Sequence, residues 1–541
     1  MPINNFTDKS TFGFDEDALT TNTPGERIRN FARLTTAGAL ADGIAADADD
    51  VSIVNFGEVE TTGQGAAGIV VHGEHARIVN FGDVSTTGGL RDPDPDVEGD
   101  EAFAEGIVAV GDGFRVTNFG NVHVEGESAS CLVGIGDDGV VINYGVLDSQ
   151  SFDSSAIATD GDRSQAINAG VIRVGGDKNT GVFAIGDDAI ALNRGLILID
   201  AEGSTGIEAI FANTSAINRG VIRIDNERGY GLAGFGDGHQ IQNFGVIDAQ
   251  GFFSGGMQAR GIIPFGLEGL GLEMLNAGRI TTDGDLGIGI ALGISSAGKA
   301  EGYGPAENGS IVNRGVVETN GDGAAGIAVN GNGHHVVNSG RIVADGGVFD
   351  GDPIGPFRAA GMVVIGDDAL VENLRHGVIM SKNAESAAVE LNVIEHDGAP
   401  TEDMAARLEN RGLIKGTDVA VLGGDGEETV VNHGRIVGDV VLGDGDDIYV
   451  GGKGGSLSGD LVLGVGDDLV IVADGSGTLR IADFEAGDVL DVSAFFSDFA
   501  AVLSHASQKG GNTVIALDHN DRLVLENTLL GTLDAGDFQL A

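Results

Sequence analysis

The sequence predicts an all-β fold, a parallel β-solenoid (β-helix) built from 25-residue coils. Three observations predict it. Asparagine recurs on a fixed grid, with glycine two residues later. Apolar residues keep register with that grid. Glycine supplies 92 of the 541 residues, well above the usual share of about 7%.

The grid comes first, because self-similarity at a fixed period marks a repeat architecture. It runs through Asn55, Asn80, Asn118, Asn143, Asn168, Asn193, Asn218, Asn243, Asn276, Asn313, Asn338, Asn410 and Asn432. Asn30 opens the series with Ala32 in the glycine place, and Asn373 belongs with its glycine delayed to Gly377. The five gaps from Asn118 to Asn243 are 25 residues each; longer gaps are 25 plus an insertion, and the last shrinks to 22.

Each coil then reads as short strands. Apolar residues lie two before the asparagine (Ile53, Ile78, Val116) and four after it (Val59, Val84, Val122). Positions −2, 0, +2 and +4 share one strand face. A second strand starts eleven before the asparagine, behind a glycine, as in Gly68-Ile69 and Gly206-Ile207. A turn lies seven before it, as in Gly111-Asp112 and Gly186-Asp187. A unit this short cannot bury a core alone, so coils must stack, about 4.8 Å apart, over one aliphatic core. A right-handed coil is the preferred hand.

An inward asparagine must be hydrogen-bonded. Stacked coils offer it an amide ladder, and the following glycine allows close backbone approach. Cys131 falls in the glycine column before Leu132. It reads as a small buried residue, with no histidine placed to activate it.

Composition removes several classes of function. The 82 acidic and 30 basic residues give a net charge of −52, which argues against following a nucleic-acid backbone. One cysteine excludes an internal disulfide framework. No apolar run is long enough to span a membrane as a helix. The start, MPINNFTDKS, has no basic and then apolar stretch, so no Sec-type leader is expected. The hydrophobic share, 42%, argues against disorder.

Five coils are expected to carry insertions, at residues 88–104, 249–261, 293–308, 346–360 and 393–406. They hold aromatics that the regular coils mostly lack, among them Phe103, Phe252, Phe253, Tyr303, Phe349 and Phe357. Long loops on a rigid scaffold are natural binding sites, although covering the solenoid edge is the stronger reading. The corner aspartates Asp112, Asp137, Asp162 and Asp187 would stack like charges, which bound cations would relieve; ordinary Gly-Asp turns in water are the stronger reading.

The last third changes period. Residues 422–430 read LGGDGEETV, 442–450 read LGDGDDIYV and 463–471 read LGVGDDLVI. Calcium takes six to eight oxygens, which glycine-rich turns and aspartates supply when stacked. These copies resemble the RTX, or hemolysin-type, calcium-binding nonapeptide GGxGxDxUx. Gly443, Gly445, Asp446, Asp447 and Tyr449 match it, as do Gly464, Gly466, Asp467, Asp468 and Val470, with leucine for the first glycine. In the first copy Glu428 stands for the aspartate. The opposite side, GGKGGSLSGD, lacks the motif that a typical RTX coil carries twice. The resemblance implies calcium at Gly443, Asp444, Gly445, Asp446, Asp447, Gly464, Gly466, Asp467 and Asp468, with Asp425 from the first copy. Residues 483–541 also resemble the C-terminal module of RTX proteins exported by type I secretion. That module is uncleaved, so the resemblance implies a secreted or cell-surface protein.

The expected organisation is an N-terminal cap (1–27), a solenoid with corner insertions (28–420), RTX-like coils (421–475) and a C-terminal secretion and cap module (476–541). The expected function is that of a secreted calcium-binding solenoid with a structural or adhesive role at the cell surface or in the extracellular matrix. Expected partners are calcium ions, with surface polysaccharide or self-assembly as further candidates; nucleic acid is not expected. The alternative is a polysaccharide-modifying enzyme of lyase or epimerase type. Some β-helices with RTX modules are alginate epimerases, but their Asp-Pro-His-Glu constellation is absent, and the chain has no tryptophan and four tyrosines. The His334-His335 pair falls at a turn and reads as solvated. A carboxylate–arginine cluster in a groove would favour the enzyme.

Overall fold

Asparagine faces inward because the strand pleat puts it on the same side as its apolar neighbours, and the fold is organised around that column. The computed structural model describes residues 2–90, 103–262, 269–294, 303–304, 306–351, 355–393 and 404–541. The chain divides into two compact units, Met1–Leu267 and Glu268–Ala541.

In the first unit every coil contributes three strands, and each pairs in parallel with its equivalent one coil away. One coil shows the plan: Ile190–Asn193, Leu196–Ile199 and Thr205–Ile210. Ile190–Asn193 pairs in register with Gln165–Asn168 on one side and Ser215–Asn218 on the other. The described part of the expected cap already forms a coil in register, with Ile3–Asn5 paired to Ile28–Asn30.

The asparagine column is a continuous amide ladder. Asn193 Nδ2 donates to Asn218 Oδ1 at 2.9 Å, while Asn168 Nδ2 donates to Asn193 Oδ1 at 2.8 Å. The Gly195 N–H donates to Asn193 Oδ1 at 3.1 Å, closing the turn that follows the strand. Both functions of the amide are thus satisfied at a site with no solvent exposure. The glycine two residues on is a steric requirement. A Cβ at Gly57 would lie 2.0 Å from the Ala32 carbonyl oxygen and 2.7 Å from Asn30 Nδ2 of the neighbouring coil. Ala32 itself is accommodated, and Asn30 still donates to its carbonyl at 2.8 Å. Around the ladder lie fully buried aliphatics such as Ile28, Ile53, Ile78 and Val116.

The second unit repeats the plan from Asn276 to Asn432, with amide bonds of 2.8–2.9 Å between successive asparagines. Past Asn432 the coils shorten. Ile448–Gly451, Leu469–Val472 and Val489–Asp491 continue the same stack. The α-helix Phe499–His505, capped by Asp498, precedes an antiparallel meander of Ala506–Lys509, Asn512–Ala516 and Arg522–Leu525. Among the described residues no helix is long and apolar enough to cross a membrane.

Two expectations about the coils are corrected. The insertion placed at 249–261 is not there. Tyr230 pairs with Gly255 and Phe235 with Arg260 at the regular spacing, so Phe252 and Phe253 sit on an ordinary corner. The regular coils also do not lack aromatics. Phe6, Phe31, Phe56, Phe81, Phe119 and Tyr144, each following its asparagine, stack on the surface with ring centroids 4.9–5.1 Å apart. The insertion at 346–360 forms a hairpin, Val348–Gly351 with Gly355–Arg358. Most of those at 88–104, 293–308 and 393–406 lies outside the described residues.

Replacing Asn193 with leucine removes the acceptor for Asn168 and the donor to Asn218 in a dry site. The expected cost is about 1–3 kcal/mol, read as a lower denaturation midpoint. An unchanged midpoint would contradict an inward ladder.

Candidate metal centre

The glycines of the nonapeptides take backbone conformations that side chains disfavour, with φ of 114° at Gly443, 123° at Gly445 and 106° at Gly464. They also let the turns stack tightly. A Cβ at Gly464 would lie 1.6 Å from the Gly443 carbonyl oxygen. Gly443 pairs with Gly464, and Asp444 with Val465, one coil apart.

This stacking sorts the anticipated aspartates into two kinds. Asp425, Asp444, Asp446 and Asp467 are exposed, whereas Asp447 and Asp468 are buried. Among the exposed set, Asp446 Oδ1 accepts from the Asp467 N–H at 2.9 Å. The buried pair belongs to a longer column. Asn392 Nδ2 donates to Glu428 Oε1 at 3.1 Å. The Glu428 N–H donates to Asp447 Oδ1 at 2.7 Å, and the Asp447 N–H to Asp468 Oδ1 at 2.8 Å. The Asp468 N–H donates to Asp488 Oδ1 at 3.3 Å. Asp447, Asp468 and Asp488 therefore each spend one carboxylate oxygen on the backbone N–H of the preceding rung, and Glu428 spends one on the Asn392 side chain.

The other oxygen is the feature of interest. Glu428 Oε2, Asp447 Oδ2 and Asp468 Oδ2 are buried and have no hydrogen-bond partner among the described residues. Burial, with repulsion from the neighbouring carboxylates, pushes Asp447 up to about 8. Glu428 rises to about 7 and Asp468 to about 6, again chiefly through burial. Asp488 is raised as well, by burial first. A buried carboxylate oxygen without a donor is costly. A column of them offers oxygen donors of the kind a hard cation takes.

The anticipated residues do not, however, gather three side-chain ligands at one point. Among the described residues the group that does so is Asp474, Asp518 and Asp521, with ligand atoms within 4.8 Å of one another. Asp521 there accepts from the Gly475 and Gly477 N–H groups, each at 2.6 Å, which ties two loops together. Asp488 is a rung that sequence reasoning did not include, and Glu428, read there only as a departure from the nonapeptide, is another. The signal for Asp488 was its spacing, 20 residues after Asp468.

The other candidates resolve differently. The corner aspartates cap the next coil: the Asp137 N–H donates to Asp112 Oδ1 at 2.9 Å, and the Asp162 N–H to Asp137 Oδ1 at 2.9 Å. Cys131 is buried, and burial raises its thiol pKa. His334, expected in solvent, is 1% exposed and its Nδ1 accepts from the Gly309 N–H at 3.0 Å. Only His335 is accessible, bonded to Glu372 at 2.9 Å. Glu208 is raised to about 7 by burial, offset by a hydrogen bond from Thr180 and by the charge of Arg260. Arg260 in turn lies 4.8 Å over the Phe235 ring.

Residues 99–252 match the family model described as the BigA third pectate lyase-like domain. The match covers well under half of the chain. No curated protein and no solved structure matches.

The raised carboxyls fix the sign of a pH dependence. Folded, the column holds protons that the unfolded chain has released. Its contribution is greatest below about pH 4 and is lost as pH rises through about 8. In chelator, the C-terminal coils should therefore lose stability from pH 5 to about 8. Asp447→Asn with Asp468→Asn should flatten that slope in hydrogen-exchange protection. A slope of opposite sign, or one the double variant leaves intact, would contradict the buried column.

Proposed function

We propose that this chain is a secreted, calcium-binding β-solenoid with a structural or adhesive role at the cell surface or in the extracellular matrix. The observation that carries the reading is the column of buried carboxylates with unpartnered oxygens at Glu428, Asp447 and Asp468. The turns around it, Gly443–Asp447 and Gly464–Asp468, are the ones that resemble RTX repeats. The pectate lyase-like match over 99–252 supports a surface β-helix. Calcium held between these coils neutralises them outside the cell. At cytosolic calcium, charge repulsion keeps them loose.

The second reading, a polysaccharide-modifying enzyme, draws on one observation. Glu208, held near neutral pKa beside Thr180 and Arg260, lies in the matched segment and is a carboxylate–arginine grouping of the kind such chemistry uses. Turnover of uronate polymers that Glu208→Gln abolishes would favour it.

Calorimetry tests the calcium reading. Wild type should bind calcium with release of protons near pH 7, because the buried carboxyls start partly protonated. Asp447→Asn with Asp468→Asn should fold, melt higher in chelator and lose most of the binding heat. No heat in wild type, or full heat in the variant, would overturn the reading.

Export by a type I system rests on the likeness of residues 483–541. A chain truncated after Gly475 should stay inside the producing cell. Its secretion at the wild-type level would contradict the proposal.

A further inference from the structure

The stacked rings stand on a face unlike the rest of this chain. In the first unit, three columns of the asparagine strands point outward: the residues three before, one before and one after each asparagine. Across the coils of Asn5 to Asn243 these columns hold six arginines and no aspartate or glutamate, although 82 of the 541 residues are acidic. Arg27, Arg77 and Arg115 share the first column, and Arg77 pairs with Arg115 one coil apart. Arg29 lies in the middle column.

These arginines are also unpartnered. Arg27, Arg29, Arg77 and Arg115 are exposed and form no ion pair among the described residues, whereas Arg33, Arg163 and Arg228 each hold a carboxylate. In a chain of net charge −52, leaving guanidiniums unpaired requires that acidic residues be kept off the face.

The three columns differ in height. Long arginines stand on one side and the aromatic ridge on the other, about 13 Å apart across four residues of strand. Between them, beyond the exposed Arg29 in the same column, lie the short, half-buried Val54, Val79 and Thr117. The result is a shallow trough along the stack, with a cationic wall, an apolar floor and an aromatic wall. Phe56, Phe81 and Phe119 remain 46–47% exposed. A contiguous row of exposed rings is the kind of apolar surface that interaction sites present. Beyond the ridge the next face is acidic again, with Glu58 and Asp83.

We propose that this trough binds an extended, carboxylated polysaccharide, a polyuronate lying along the stack. This rests on the adhesive reading above and deepens it by naming the polymer class. Charge decides for an anion. The aromatic wall decides for a sugar chain: its ring edges recur every 4.9–5.1 Å along the stack and offer an apolar surface to sugar C–H groups. A bound peptide strand advances about 3.3 Å per residue, and duplex DNA carries a charge every 1.7 Å or so; neither matches. Cation density decides against a polymer sulfated at several positions on each sugar. Four free guanidiniums over six coils suit a polymer with at most one charge per sugar. The ring edges pack against the sugar C–H surface, since the ring faces are taken by their neighbours in the stack.

The test uses the full chain and polygalacturonate, with neutral dextran as control, in chelator so that calcium cannot bridge two acidic polymers. Working in chelator also separates this proposal from the calcium reading, whose failure would leave the result unchanged. Wild type should be retained by polygalacturonate and not by dextran, with retention falling as salt rises. Arg77→Gln with Arg115→Gln, and separately Phe56→Ser with Phe81→Ser, should each weaken binding at least tenfold while melting as wild type does. Sedimentation velocity runs in parallel. Equal binding to dextran, no binding, or unchanged binding in the arginine variant would overturn the proposal. Self-association lost in both variants would overturn it too, by assigning the face to a second copy.

Discussion

Everything in this molecule follows from one constraint: a 25-residue coil has no core of its own. Each buried polar group must find its partner in the coil above or below. The asparagine column meets that demand fully, because an amide both donates and accepts. Asn168, Asn193 and Asn218 close a chain of bonds in which no atom is left over. The carboxylate column at Asp447 and Asp468 meets it by half. An ionised carboxylate accepts and cannot donate. One oxygen takes the neighbouring N–H and the other is left facing a dry interior. The same stacking rule therefore gives a self-sufficient ladder in one column and one with an unpartnered oxygen on its buried rungs in another. Asn392 bonded to Glu428 is where the second column passes from amide to carboxylate.

Most of the fold was legible because the grid is a property of single residues at fixed spacing. Asn193, Gly195 and Ile197 could be placed from the sequence alone, since their roles repeat coil after coil. The insertion placed at 249–261 failed for a local reason: GFFSG looks like a loop, yet Gly255 holds register with Tyr230. His334 failed because adjacent histidines at a turn suggest solvent, while the corner turns one ring inward.

The candidate site was half legible. Asp447 and Asp468 stood out through the nonapeptide, but burial of these two and exposure of Asp444, Asp446 and Asp467 depend on the turn's three-dimensional path. Asp488 escaped because DFEAGDVLD lacks the paired glycines of the earlier copies. The aromatic ridge escaped for another reason. Reading inward columns finds the core, whereas Phe56 and Phe81 matter only when the outward columns are aligned. The distribution of charge follows the same division: acidic corners cap neighbouring coils, and the face beside the ridge is kept free of them.

Under the calcium proposal, the carboxylate column alone makes part of this solenoid depend on a cation. Hydrogen exchange across the whole chain, with calcium and with chelator, tests it most directly. The account predicts that calcium raises protection at residues 420–492 and leaves the amide-ladder coils of residues 3–260 unchanged. Equal protection in both conditions at 420–492, or a uniform change along the chain, would contradict it.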